Sequence, residues 1–143
     1  MVDRLLLEKT LGDIRANVRE LKKARDINWE VYNSDVRARR FVERTLHILI
    51  EACIDVTQHI ISDEGFREPS TYRDAFVVLT EEKIISTDLL PRLEQMAAFR
   101  NLIVHYYERI DDAIVFGIFQ RNLSDFLAFA DKISAYLEKK APE

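Results

Sequence analysis

Apolar residues recur every three or four positions along most of the chain, which is the spacing of amphipathic helices. The first segment, about residues 2–24, places such residues on one face: Leu7, Leu11, Ile14, Val18 and Leu21. A longer segment, about residues 36–62, has a broader apolar face, widened by Phe41 and Ile48. Its main stripe is Val42, Leu46, Leu49, Cys53, Val56 and Ile60. The pattern predicts two helices that share a core, the second of them central to the fold.

Polar residues, glycine and proline separate the predicted helices. Residues 26–35 break the apolar spacing and end in three residues that are suited to cap the next helix: Asn33, Ser34 and Asp35. Gly65 and Pro69 then interrupt the chain before a shorter helix, which is expected from Tyr72 to about Glu82.

The last third of the chain predicts two more helices. One is capped within residues 86–88, carries Pro91 in its first turn, where the missing N–H costs nothing, and continues towards Val104. The other is capped by Asp111 and Asp112 and runs to about Lys139. Its inward positions are Val115, Phe119, Phe126, Phe129, Ile133 and Tyr136, with Asn122 as the interruption at that spacing.

Composition agrees with a helical fold. At 143 residues and 48% hydrophobic, the chain has enough apolar material for one core, so we expect a single domain over residues 1–143. Three glycines and three prolines are too few for the turns of a β-sandwich or barrel. The sequence therefore predicts an all-α protein of about five helices.

Charge and cysteine content exclude several classes of protein. A net charge of −4 excludes a generally basic nucleic-acid coat, so any contact with RNA or DNA must be local. The single cysteine, Cys53, allows neither a disulfide within the chain nor a thiolate zinc site, and we expect it to be an inert core residue.

No apolar run approaches the roughly 18 residues of a membrane span, and the charged N-terminus does not resemble a secretory signal. We expect a cytoplasmic protein with no membrane contact.

One arginine stands out on the fourth predicted helix. Helical spacing surrounds Arg100 with apolar residues one turn away on either side: Met96, Ala97, Ile103 and Val104. A guanidinium keeps its charge when buried, so it needs either a carboxylate partner or a cleft that an anion such as phosphate can enter. Both interpretations remain open at this point.

A histidine follows Arg100 on the same helix, but the two do not share a face. Five helical steps rotate by about 140°, so Arg100 and His105 need further geometry to form one site. The helix could break after Asn101, the arginine side chain could bend round, or two copies of the chain could build the site across a dyad. Asn101 and His105, four residues apart, do share a face, so the amide could orient the imidazole.

The string from Phe99 to Tyr107, FRNLIVHYY, resembles the signature of a known family. The chain is similar to the HepT toxins of the HEPN superfamily (higher eukaryotes and prokaryotes nucleotide-binding), whose motif is Arg, four residues, His, one residue, Tyr. Arg100, His105 and Tyr107 fit that spacing, and Asn101 fits the Asn that commonly follows the Arg. The resemblance extends over nearly the whole chain, including residues 54–61 and 69–79.

The resemblance implies a fold, an activity and a partner. It implies an antiparallel HEPN helical bundle that forms a homodimer, with Arg100 and His105 of both copies lining a cleft that cleaves RNA without a metal or other cofactor. It also implies an MNT-type nucleotidyltransferase antitoxin, which neutralises the toxin by attaching AMP to the motif tyrosine, here Tyr107. Tyr106 provides a second hydroxyl beside it.

The chemistry of these residues suits that activity. Attack of an RNA 2′-hydroxyl on the adjacent phosphorus needs a proton acceptor, a proton donor and positive charge beside the developing phosphorane. An imidazole with a reference pKa of about 6.5 can accept or donate a proton near neutral pH, which suits His105. Arg100 can bind the non-bridging oxygens with its planar fork of donors.

A second set of polar residues lies on the second predicted helix. Glu43, His47, Glu51, Asp55 and His59 recur at intervals of four, as metal ligands can, but the row drifts by about 40° at each step and solvated ion pairs are favoured over a metal site. On the same helix a mainly basic stripe includes Arg40 and Arg44, which could guide an RNA backbone towards the motif. The alternative for this stripe is a solvated helix face.

Two functions other than RNA cleavage remain open. The same bundle could be a non-catalytic module that binds a nucleotide or a partner protein through Arg100. In a purely structural helical partner, Arg100 would instead be an internal salt-bridge residue.

Overall fold

The long central segment predicted from the sequence forms the axis of the fold. In the computed structural model, which describes residues 3–105 and 111–140 apart from the side chains of Val104 and His105, every regular element is an α-helix. The helices are α1 Arg4–Lys23, α2 Trp29–Ser34, α3 Val36–Glu64, α4 Tyr72–Glu81, α5 Leu90–His105, α6 Asp112–Arg121 and α7 Leu123–Lys140. The all-α class is confirmed, but these ranges hold seven helices rather than about five.

Helix α3 lies at the centre and contacts each of the other six helices. Helix α1 packs along α3 and α7, while α4 and α5 pack against each other on another side of α3. The predicted stripe of α3 is buried from Val42 to Ile60, and so is the α1 stripe from Leu7 to Leu21. The prediction that Phe41 and Ile48 widen this buried face is wrong, since both side chains are exposed. The motif helix α5 is therefore held against the central helix of the fold.

Side-chain caps fix where several helices begin. The Asp35 carboxylate accepts from the N–H groups of Arg37 and Ala38 at the start of α3, and Asp111 accepts from the N–H of Ala113 at the start of α6. Helix α3 ends at Gly65, which takes the left-handed conformation, with φ 70°, that favours glycine. Among the three predicted cap candidates before α3, Asp35 is the one that caps it.

The polar segment 26–35 contains a helix that the apolar spacing does not reveal. Asn28 caps α2 by accepting from the N–H of Val31, and the Tyr32 ring is completely buried between α3 and α6. The ring of Tyr32 lies 5.6 Å from that of Phe116. Six residues are too few to show a helical period, and tertiary packing of one aromatic side chain stabilises this helix.

The prediction of one continuous last helix is wrong at Asn122. There the chain takes φ −118° and ψ 13°, which ends α6 and lets α7 begin at Leu123. The predicted inward residues Phe126, Phe129 and Ile133 are buried in α7, and Leu123 and Leu137 are buried beside them. Tyr136, expected to point inward, is only partly buried, and its hydroxyl donates to the Glu64 carboxylate instead.

None of the helices in the described ranges combines the length and apolar character that crossing a membrane requires.

Replacement of Tyr32 tests how much the unpredicted helix contributes to stability. Tyr32→Ala removes a fully buried ring, so the free energy of unfolding should fall by roughly 3–5 kcal/mol in urea denaturation. The neighbouring Asn33 is exposed on the same helix, and Asn33→Ala should change it by no more than about 0.5 kcal/mol. Equal effects of the two changes would contradict the packing role of α2.

Candidate functional site

Arg100 lies where α5 packs against α3 and α4, and its charge is paired. The Nε of Arg100 donates to Oε1 of Glu51 on α3 at 2.6 Å, and only 16% of the arginine side chain is exposed. A carboxylate therefore supplies the partner that an arginine among apolar neighbours requires. Two residues 49 positions apart in the sequence are brought together by the packing of α5 on α3.

Two further contacts fix the plane of the Arg100 guanidinium. Its Cζ lies 4.5 Å from the centre of the Tyr72 ring at the start of α4, a cation–π contact. Its Nη1 donates to Oδ1 of Asn101 at a long 3.5 Å. None of these contacts uses Nη2, so the guanidinium is oriented while both N–H donors of Nη2 are left for an anion.

The Glu51 carboxylate contacts two side chains, the Arg100 guanidinium and the His47 imidazole. Its Oε1 also lies 3.5 Å from Nε2 of His47, one turn earlier on α3. Asp55, one turn later, has its pKa raised by burial and by the negative charge of Glu51, and Arg100 partly offsets this rise. The site therefore combines a mostly buried guanidinium with two carboxylates of α3, and the pKa of Asp55 depends on that guanidinium.

The basic stripe of α3 borders the motif helix. Arg40, Arg44, His47 and Glu43 of α3 line a pocket of about 350 Å³, which we name the α3–α5 pocket. Its opposite wall is apolar: Phe99 and Ile103 of α5 and Val115 of α6. The candidate RNA contacts Arg40 and Arg44 thus lie beside the helix that carries Arg100.

The row of possible metal ligands on α3 is divided among separate partners. Glu43 lies 3.8 Å from Nε of Arg39, Glu51 pairs with Arg100, and His59 pairs with Asp63. In residues 3–105 and 111–140, no three His, Cys, Asp or Glu side chains are grouped as a metal ion would need. Cys53 is buried, and burial raises the pKa of its thiol, as in an unreactive core cysteine.

Helix α5 is unbroken from Leu90 to His105, so it does not break after Asn101. The Arg100 side chain turns towards α3 and α4, and position 105 lies about 140° around the helix from position 100. Within one chain, the backbone therefore places the two motif positions on different faces. The side chain of His105, together with Tyr106 and Tyr107, lies outside the described residues.

Sequence reasoning missed two residues of this site. It predicted that Arg100 needs either a carboxylate or an anion, but it did not identify Glu51 as the carboxylate or Tyr72 as the ring beneath the guanidinium. Glu51 was visible only as one of a row of acids at intervals of four. Helical spacing on α3 could not show which member of that row faces α5.

Comparison with known proteins places these features in a family. A family model described as "Ribonuclease HepT-like" matches residues 14–133. The mRNA nuclease HepT of Shewanella oneidensis is 33% identical over 104 residues, which cover 73% of this chain and 78% of the relative. The tRNA nuclease HepT of Aphanizomenon flos-aquae is 27% identical over 136 residues, covering 95% of this chain and 92% of the relative.

Solved structures show the same fold. A tri-AMPylated HEPN toxin of Shewanella oneidensis, in complex with an MNT antitoxin, has a TM-score of 0.82 and 27% identity, covering 94% of this chain and 99% of its own. The cytosolic protein YutE of Bacillus subtilis has a TM-score of 0.87 at 24% identity, covering 99% of this chain and 96% of its own. The second likeness supports the fold alone.

The pKa of Asp55 should report the charges around the site. Because Arg100 lowers this pKa and Glu51 raises it, Arg100→Ala should raise the Asp55 pKa further, and Glu51→Gln should lower it. Carboxyl ¹³C NMR titration measures both shifts. Arg73→Ala is the control, since exposed Arg73 pairs with Glu94 instead and should leave Asp55 unchanged. Identical titrations in all variants would contradict the arrangement.

Proposed function

This chain belongs to the HepT-like family of ribonucleases, and on that premise we propose that it is a metal-independent endoribonuclease toxin whose active residues are Arg100 and His105. The observation that carries the proposal is the oriented Arg100: Glu51 and Tyr72 fix its guanidinium on the motif helix and leave Nη2 for a phosphate. His105 follows at the motif spacing, with Asn101 one turn before it to orient the imidazole.

The proposed reaction is an internal transfer within RNA. One imidazole removes the proton of the 2′-hydroxyl while its oxygen forms a bond to phosphorus. The bond from phosphorus to the 5′-oxygen breaks, and a second imidazole gives that oxygen a proton. The products are a 2′,3′-cyclic phosphate and a free 5′-hydroxyl. Arg100 binds the non-bridging oxygens, which gain negative charge in the transition state.

A homodimer would supply two imidazoles and would bring the arginine and histidine of the motif into one site. Because α5 is unbroken and its positions 100 and 105 lie on different faces, a dyad can bring Arg100 of one copy towards His105 of the other. An apolar groove of about 620 Å³ between α5 and α6 supports this assembly. It includes Leu102 of α5 and Ile114 of α6, whose side chain is half exposed and could be covered by a second copy.

We further propose an MNT-type nucleotidyltransferase antitoxin as the partner, and Tyr107 as its target. The support is the Shewanella HEPN toxin, which is AMPylated and bound to such an antitoxin, together with the matching motif spacing here. Transfer of AMP from ATP joins the tyrosine oxygen to the α-phosphorus and releases pyrophosphate. The added phosphate and nucleoside, two residues from His105, would repel RNA and obstruct the cleft.

The Arg100 ion pair also fits the structural alternative, in which Arg100 only stabilises the bundle. That alternative predicts that Arg100→Ala lowers the melting temperature, because the partly buried Glu51 carboxylate loses its charged partner. It also predicts that the wild-type protein does not cleave RNA. The cleavage experiment separates the two functions.

Cleavage of RNA in EDTA tests the active residues and the metal independence together. Protein with the intact mass of the unmodified chain should cut RNA, and His105→Ala should reduce the rate by roughly two to four orders of magnitude, because it removes the proton-transfer group. Arg100→Ala should be similarly impaired through loss of phosphate binding. Gel electrophoresis of a labelled RNA measures the rates and identifies the 2′,3′-cyclic ends.

Matched variants exclude indirect effects in this experiment. Arg73→Ala removes an exposed arginine that pairs with Glu94 and does not contact Arg100, and should cleave as wild type does. Size-exclusion chromatography and thermal melting should show that His105→Ala keeps the fold and the assembly. Intact, unmodified protein that does not cut RNA, while Arg100→Ala weakens binding of a nucleotide, would favour the non-catalytic binding module instead.

Tyrosine variants identify the modified position. With a cognate nucleotidyltransferase and ATP, the mass of the wild-type chain should rise by whole adenylyl groups and its RNA cleavage should fall. Tyr107→Phe should block the modification at that position, since the accepting oxygen is absent, and Tyr106→Phe is the neighbouring control. Peptide mass spectrometry assigns each group, and an unmodified Tyr107 in inhibited wild-type protein would refute the assignment.

A further inference from the structure

The α3–α5 pocket has two chemically different walls. Arg40, Arg44 and His47 on α3 form a basic wall, and both arginines are exposed to solvent. Ile103, which is half-buried, and Phe99 form an apolar wall on α5. A ligand that fits both walls has an anionic part and a flat apolar part, which is the character of a nucleotide.

The acidic residue of the pocket, Glu43, has its contacts with groups that do not line the pocket. The Glu43 carboxylate lies 3.8 Å from Nε of Arg39 and accepts weakly from the Tyr32 hydroxyl at 3.5 Å. Burial and the negative charge of Asp112 raise the pKa of Glu43, and the positive charges of Arg39 and Arg40 partly offset that rise. Among the ion pairs within 4 Å in the described ranges, none involves Arg40 or Arg44, so both charges are available to a ligand.

The position and size of the pocket relate it to the proposed site. Phe99 directly precedes Arg100, and Ile103 stands between Arg100 and His105 on α5. On α3, His47 joins the pocket to the Glu51 carboxylate that holds Arg100. A volume of about 350 Å³ lies at the small end of the usual range for ligand pockets, about 300–1,000 Å³, and suits one nucleotide.

We propose that the α3–α5 pocket binds one unstacked nucleotide of the RNA next to the phosphodiester that is cut. The base packs against the Phe99 and Ile103 wall, and its phosphate is bound by Arg40 and Arg44. Sequence-selective RNA binding generally uses unstacked bases, so this pocket would give the toxin a preference for bases near the cleaved bond. The inference rests on the proposed function, because it takes the bound polymer to be the substrate.

Binding of RNA oligonucleotides with one missing base tests the pocket. The experiment uses the His105→Ala variant, so that the RNA stays intact during the measurement. Fluorescence anisotropy measures its affinity for a series of oligonucleotides of one cleavable sequence, each with a single abasic nucleotide at a different position. We expect one abasic position, beside the cut bond, to weaken binding by about 5- to 100-fold, the loss of one stacked base. Ile103→Ala should remove this dependence on position, whereas Ile48→Ala, an exposed isoleucine of α3 outside the pocket, should keep it.

Arginine variants provide a second measurement that does not alter the apolar wall. Arg40→Ala and Arg44→Ala should each weaken binding of the intact oligonucleotide and reduce the slope of log affinity against log salt by about one. Arg37→Ala removes an exposed arginine from the same helix that does not line the pocket, and should have the smaller effect on affinity.

The outcomes separate this inference from the proposed function. A protein that cleaves RNA through His105, but shows equal affinity for every abasic position and equal effects of the three arginine variants, would overturn the pocket and leave the function standing. A protein that neither cleaves nor binds RNA would overturn both. An abasic effect at one position that Ile103→Ala abolishes would establish the subsite.

Discussion

A guanidinium that cannot lose its charge constrains how three helices of this protein meet. Arg100 lies in the packed region between α3, α4 and α5, where an unpaired charge would be costly. Glu51 must therefore face α5 at this level, and the Tyr72 ring must lie against the guanidinium. The same contacts that compensate the charge also orient it, so stability and the proposed phosphate binding depend on one arrangement.

Long amphipathic segments could be predicted from the sequence because their packing follows from periodicity. The stripes of α1 and α3 are buried as expected, and Asp35 and Asp111 cap helices as expected. Short and interrupted elements could not be predicted in this way. Helix α2 is shorter than two helical turns and depends on the burial of Tyr32. Asn122 was visible as an interruption of the apolar spacing, but the spacing did not show that the helix ends there.

The sequence could identify residues of the candidate site, but it could not predict which side chains contact one another. An arginine among apolar neighbours indicates a buried charge that needs an anion, and the spacing of Arg100, His105 and Tyr107 indicates the family. Neither signal identifies Glu51, because helix-to-helix contacts over 49 positions are set by the whole packing of the bundle. The α3–α5 pocket is likewise formed by three separate segments, which no local pattern connects.

The unbroken course of α5 has a consequence for how activity would vary with the amount of protein in a cell. If one chain cannot join both motif positions, the functional unit is a pair, and its abundance at low concentration rises with the square of the chain concentration. Doubling a small pool of free chains would then increase the number of complete sites about fourfold. Under the proposed function, RNA cleavage would be slow when the free chain is scarce and would rise steeply with its concentration, a threshold that follows from mass action alone.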